Sequence, residues 1–476
     1  MATTTTTRVK AAERYATRIA LIASLGAFFY GFEGMVLNGA IKAVGTTFHL
    51  GALAKGVAGS AGIIGGLIGA VIAGRLSDKV GRKTVLMWIG PFLLFEAVFG
   101  AFSPWLGGYP FLLLCRVVGG MGFGAATTVG PGYIAEIAPA AIRGRLIAFR
   151  QLEIILGLFF AGMINLYVSK SAGGSKQVWA LGLYAWQWMF LCLLIPAVFY
   201  IVLTATIPES PRYLVSVGRD EEAKQVLARV SGETELDGRV NSIRKSLGAE
   251  GTTKMSFKAI MSSKWAGLVW VGMAIAAFQQ LTGINGVFFY SNSLFEAVGF
   301  TEAMALQQTL LITFFKIVGV VTGIMLVDKV GRRNMLIGGG TLIFVSLGVV
   351  ATVFTVAPVV DGKVDISHNP LLGYLAVGAL CTFILGFTSS WGPIFSIVMG
   401  EMFPNQIRGG AMSLASGADF LVNFMVVLLF PYLIAWSPAG TYWIYCAFGV
   451  LSVIFTIRYL KETSGKQLEE MDELVD

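Results

Sequence analysis

The segment GRLSDKVGRKTVL at residues 74–86 returns as GIMLVDKVGRRNML at 323–336, placing Asp78 and Asp328 250 residues apart. Each copy lies between two apolar runs long enough to cross a bilayer as helices. A second pair follows in the same order. YIAEIAPAAIRGRL (133–146) matches MGEMFPNQIRGGAM (399–412), aligning Glu136 with Glu401 and Arg143 with Arg408. A weaker echo links PESPRYL (208–214) to KETSGKQL (461–468). Two bundles of the same internal order are the simplest explanation.

Composition agrees. The chain has 476 residues, of which 55% are hydrophobic and 13% charged, and its mean hydropathy is +0.74. These values exclude an ordinary soluble globular domain. Twelve apolar runs stand out, at roughly 18–44, 55–77, 84–103, 109–132, 145–169, 182–207, 264–292, 303–327, 333–357, 370–399, 408–435 and 440–460. The expected fold is an all-α membrane protein with twelve transmembrane helices in two pseudo-symmetric six-helix bundles. The expected divisions are an N-terminal tail (1–17), a first bundle (18–207), a polar linker (208–263), a second bundle (264–460) and a C-terminal tail (461–476). Within the linker, DEEAKQVLARV (220–230) has helical periodicity and reads as a short cytoplasmic helix.

The net charge of +8 reflects topology. Arg and Lys cluster before the first run and after the second, fourth and eighth, whereas the loops 103–108 and 436–440 carry none. The positive-inside rule then assigns both termini and the linker to the cytoplasm of a plasma membrane. The N-terminal MATTTTTRVKAAERYATR has no cleavage-site pattern and reads as a tail. Cations spread over loop junctions argue against nucleic-acid binding. Cys115, Cys192, Cys381 and Cys446 all fall inside predicted spans, so neither a disulfide framework nor a metal site is expected. His49 and His368 fall in loops, so proton chemistry would have to use carboxylates.

In the two DxxGR loops, Asp78 and Arg82, and likewise Asp328 and Arg332, are close enough to bond each other. Arg82 and Arg332 can also reach carboxylates such as Glu136 and Glu401. With Arg143 and Arg408 they read as latches on the cytoplasmic side of each bundle. Ordinary positive-inside charge explains the cations, but not an acidic residue and a glycine repeated at fixed spacing. Glycines dense at 62–69 and 119–124 read as close helix approaches.

QQLTGINGVFFY (279–290) puts two carboxamides, a hydroxyl and an Asn into a segment that otherwise reads as membrane-buried. Such groups are costly in hydrocarbon unless they face a partner or water. Gly283 and Gly286 would loosen the helix around Asn285. Carboxamides with Tyr290 just beyond suit a neutral polyhydroxylated molecule; hydrogen bonding between helices is the competing account.

These motifs together resemble the sugar porter family of the major facilitator superfamily over nearly the whole chain. They are GRLSDKVGRK, YIAE…RGRL, PESPRYL, QQLTGIN, WGP…GEMFP…IRG and KETSGKQLEE, the last departing from the family form at Lys461 and Ser464. The resemblance implies a central site between the bundles and rocker-switch alternating access. It also implies carriage of a monosaccharide or polyol by proton symport or uniport. By the same resemblance, Gln279, Gln280, Asn285 and Gln151 bind sugar. Glu33 couples protons, with Arg116 as its partner. Protonation of Glu33 would release the pair and let a neutral carboxyl tolerate closure around substrate; a permanent structural ion pair is the alternative.

Family positions also differ here. Leu158 replaces a glutamine, Lys316 an asparagine, Ser396 a tryptophan and Asp419 a position often glutamine. Thr309, Thr313 and Lys316 share one helical face, as do Ser416, Asp419 and Asn423. With Trp391 of WGP, these place Lys316, Asp419 and Asn423 in the expected binding set. A charge at a helix centre costs roughly 2.5–3.5 kcal/mol on insertion scales, so Lys316 and Asp419 should face a cavity or each other. If they pair, a neutral sugar fits; if Lys316 is free, a sugar acid or another small organic anion fits. Glu153, two residues from Gln151, should contact a neighbouring helix. No cofactor, metal or catalytic constellation is expected, a sensor or enzyme role is less favoured than transport, and the chain is expected to act as a monomer.

Overall fold

The computed structural model describes residues 2–138, 140–231, 236–250, 257–297, 300–360, 363–364, 369–403 and 407–462. Most of the 461–476 tail, including most of KETSGKQLEE, lies outside these residues, as does His368. The side chains of Arg143, Asp328, Ser396, Glu401 and Arg408 also lie outside the described set.

Among the described residues, twelve helices are long and apolar enough to cross a membrane. They are α1 (Lys10–Thr47), α2 (Ala52–Val80), α3 (Arg82–Ala101), α4 (Gly108–Ile137), α5 (Phe149–Ala172) and α6 (Ala185–Thr206). The second half supplies α7 (Ala266–Phe289), α8 (Glu302–Val327), α9 (Arg332–Val356), α10 (Leu371–Met399), α11 (Gly410–Trp436) and α12 (Pro438–Tyr459). All twelve apolar runs of the sequence are recovered. The segment read as an N-terminal tail is itself helical from Ala2 and continues into α1. The strands Val359–Val360 and Lys363–Val364 form a two-residue antiparallel ladder.

The repeated glycine has a backbone cause. Gly81 and Gly331, between α2 and α3 and between α8 and α9, adopt φ of 98° and 86°. An L side chain is strained there, so glycine recurs wherever one helix must turn into the next within a single residue.

Contacts divide the chain into two compact units. The first comprises Met1–Met35, Ala61–Ala161 and Gln187–Thr253. In it α4 packs on α3, and α3 on α6. Glycines bring α2 against α4: a Cβ at Gly65 would strike the Val117 carbonyl, and one at Gly124 the Gly66 carbonyl. The dense glycines therefore serve helix packing. The linker helices Asp220–Ser231 and Leu236–Glu250 are tied by Lys224 to Asp237 at 2.7 Å and by an Arg244–Asp220 pair. Hydrogen bonds donated to Asp237 and Glu221 push the Lys224 ammonium above the usual lysine range.

The second unit comprises Val36–Ser60, Gly162–Trp186 and Lys254–Asp476. Within it α9 packs along α12 and α10, and α7 along α11. α1 thus contributes residues to both units.

Candidate functional site

In the first unit, α1, α3 and α4 bring three charged-type side chains to one buried point. Arg116 Nη1 donates to Glu33 Oε1 and, at 2.8 Å, to Glu96 Oε1. Side-chain exposure is 5% for Glu33, 0% for Glu96 and 4% for Arg116, so the three groups must satisfy one another. Gly62 on α2 makes the room, because a Cβ there would collide with Glu33 Oε1. The pairing of Glu33 with Arg116 was expected; Glu96 was not. Its signal was a lone acidic residue in an apolar span, which by default marks a functional position.

Elsewhere in this unit Glu153 Oε1 accepts from Ser24 Oγ at 2.8 Å, a contact to a neighbouring helix as its angular offset from Gln151 implied. Gln151 is half-buried on α5.

In the second unit, α7 breaks where its glycine pattern foretold. The helix stops at Leu281, and Gly283 takes φ 81° at a point where an added Cβ would strike the Tyr445 ring. Gly286 does not loosen the chain. It lies inside the following turn, packed on Phe430.

The break turns four polar side chains toward one another. Gln280 Nε2 donates to Asp419 Oδ1 at 2.8 Å, and Asn285 Nδ2 donates to Gln280 Oε1 at 2.9 Å. Asn285 Nδ2 also donates to Asn423 Oδ1 at 3.0 Å. The chain Asp419–Gln280–Asn285–Asn423 thus joins α7 to α11. Gln279 points elsewhere: its Nε2 donates to the Trp391 carbonyl at 3.0 Å. Trp391 is fully buried, its indole N–H bonded to the Leu336 carbonyl. Tyr290 stacks on Phe430 at 5.7 Å, Phe430 stacks on Tyr445 at 6.2 Å, and the Tyr290 hydroxyl donates to the Lys55 carbonyl.

Lys316 and Asp419 do not pair. Lys316 is buried with its Nζ 3.4 Å from the centroid of the Phe288 ring, a cation–π contact, while Asp419 takes the Gln280 amide. Thr309 and Thr313 are buried on the same face of α8, and Thr309 shares a hydrogen bond with Ser291. Asn38 was not singled out from the sequence. It is fully buried and donates to the Phe288 carbonyl at 2.5 Å and to Ser291 Oγ at 2.9 Å.

Both DxxGR loops carry built clusters. Arg82 Nη2 lies 2.7 Å from Asp78 and 3.1 Å from Glu136. Ser210 of PESPRYL donates to the other oxygen of Glu136, and Glu209 accepts from the backbone N–H groups of Arg82 and Lys83. In the second unit Glu462 accepts from the backbone N–H groups of Arg332 and Arg333.

Comparison with known proteins gives a consistent answer. The family described as "Sugar (and other) transporter" matches residues 19–475. A glucose transport protein of Synechocystis sp. is 37% identical over 465 residues, covering 96% of this chain and 97% of that protein. The D-xylose-proton symporter of Escherichia coli is 33% identical, covering 97% and 96%. Among solved structures, the inward-open conformation of the E. coli xylose transporter XylE superposes with a TM-score of 0.81 at 30% identity, covering 97% of this chain and all of that one. XylE bound to 6-bromo-6-deoxy-D-glucose superposes with a TM-score of 0.76.

Proposed function

The chain belongs to the sugar (and other) transporter family of the major facilitator superfamily, and on that premise we propose that it carries a monosaccharide or polyol across the plasma membrane by proton symport with alternating access. Both termini and the 208–263 linker face the cytoplasm in this reading, which the distribution of Lys and Arg supports. The transporter works as a monomer.

The observation that carries the substrate class is the Asp419–Gln280–Asn285–Asn423 chain beside the break at Gly283. Carboxamides both donate and accept, so they match sugar hydroxyls, which do the same. Each polar group is held by a neighbour, which lowers the ordering cost of binding. The glucose and xylose relatives named above support a sugar.

Glu33 carries the coupled proton. A proton on its carboxyl turns the ion pair with Arg116 into a weaker bond from the guanidinium to a neutral carboxyl, freeing α1 to shift against α4. Loss of that proton to water on the other side restores the bond and resets the cycle. The cluster of Asp78, Arg82 and Glu136, and its repeat around Arg332, act as latches, closed in one orientation and parted in the other.

Lys316 favours a second reading. Among the described residues no carboxylate lies within ion-pair distance of it, so its ammonium, held over Phe288, is available to a sugar acid or another small organic anion. A thermal-shift screen of the purified protein against sugars, polyols and sugar acids tests both readings, because a bound ligand raises apparent stability. Stabilisation by a neutral sugar or polyol is expected. Stabilisation by acids alone would establish the second reading, and by none of the three would reject both.

A further inference from the structure

Glu96 is an intramembrane carboxylate for which the transport cycle above has no use. It is fully buried on α3, and its Oε1 accepts from Arg116 Nη1 at 2.8 Å. Its Oε2 is sealed from solvent and, among the described residues, meets no donor. That oxygen lies against Gly119 of α4, where any side chain would collide with it. Glu33 Oε1 and Glu96 Oε1 both accept from the same Arg116 Nη1, which sets the two carboxyls side by side. Two ionised carboxylates are both acceptors and cannot bond; a bond between them requires one to carry a proton. Like charges this close in a buried site repel, and one proton on the pair relieves that repulsion.

Counting charge leads to the same place. With no proton, two carboxylates and one guanidinium sum to −1; with one proton they sum to zero. A Glu33–Arg116 pair alone would run between zero and +1, leaving a buried guanidinium without an anion in its protonated state. We propose that Glu96 is a second proton-binding residue, sharing the coupled proton with Glu33 so that Arg116 always keeps one carboxylate. The O–H bond forms on the Glu33–Glu96 pair from water on one side and is broken to water on the other, and no other group changes charge. The groups facing Glu96 are Glu33 from α1 and Arg116 and the Cys115 thiol from α4. α2 contributes Gly62 to the cluster, and among the described residues α6 brings no charged group to it.

The proposal rests on the proton-coupled reading above, and its test separates the two. Proton-driven sugar uptake into proteoliposomes is measured against external pH for the wild type, Glu96→Gln and Glu96→Asp. Removing the Glu96 charge leaves Arg116 wholly to Glu33, so the pair binds its proton less tightly. The midpoint of the Glu96→Gln profile should move to lower pH by about one unit, a tenfold loss of proton affinity. Glu96→Asp, which keeps the charge, should stay near the wild-type midpoint. A Glu96→Gln profile with the wild-type midpoint and only a lower rate overturns the proposal while leaving symport intact. A wild type indifferent to the pH gradient overturns the symport reading itself, and this proposal with it. If Glu96→Gln does not fold, Gly119→Ala, whose methyl group displaces the Glu96 carboxylate, must move the midpoint the same way; an unmoved midpoint is equally fatal.

Discussion

Glu209 and Glu462 do the same thing in the two halves of the chain. Each accepts from the first two backbone N–H groups of the helix that follows a left-handed glycine, Glu209 from Arg82 and Lys83 and Glu462 from Arg332 and Arg333. A carboxylate there satisfies orphan donors and meets the positive end of the helix dipole. The weak sequence echo between PESPRYL and KETSGKQL is therefore a shared capping role.

It follows that Glu209→Ala or Glu462→Ala should each cost about 1–2 kcal/mol through loss of a cap and its dipole interaction. The thermal midpoint of the purified protein should fall by a few degrees for each. Unchanged midpoints for both would mean the caps are ornamental.

Glu33→Gln fixes the coupling carboxyl in its neutral shape. Counterflow exchange, which needs no proton gradient, should survive, and uphill accumulation should be lost. Unchanged accumulation would refute the assignment of the coupled proton to Glu33.

Gln280→Ala removes at once the donor to Asp419 and the acceptor for Asn285. Leaving two polar groups unpartnered and losing a contact to the solute should weaken binding at least about tenfold, or roughly 1.4 kcal/mol. Calorimetric titration with the best sugar from the screen measures this. Wild-type affinity would mean the amide chain only joins α7 to α11.

Lys316→Asn bears on the two substrate readings. If the solute is acidic, the change should abolish its transport while sparing or improving that of a neutral sugar. The reverse pattern would mean that Lys316 serves packing on Phe288 and that the acidic reading should be abandoned.

Much of this was legible in the sequence, and the reasons are physical. Span length and apolar content are local properties, so all twelve crossings could be counted. Gln280, Asn285, Asp419 and Asn423 stood out because carboxamides and carboxylates in hydrocarbon demand partners, and the structure makes them one another's. Long-range pairing was harder to read. Asn38 bonds to Phe288 and Ser291, 250 and 253 residues away, and no periodicity connects them. Glu96 finds Arg116 on a different helix, and the family resemblance had already assigned that arginine to Glu33. For Lys316, opposite charge pointed to Asp419 as one candidate partner, but the ammonium rests on an aromatic face, which carries no charge for a sequence pattern to display. Gly283 and Gly286 looked alike in the sequence, yet only the first takes a positive φ.

The central claim, proton-coupled carriage of a sugar, is tested most directly by accumulation of labelled sugar in proteoliposomes under an imposed inward proton gradient. The account predicts accumulation above the external concentration that collapses when a protonophore is added. Sugar that merely equilibrates, at a rate indifferent to the gradient, would contradict it.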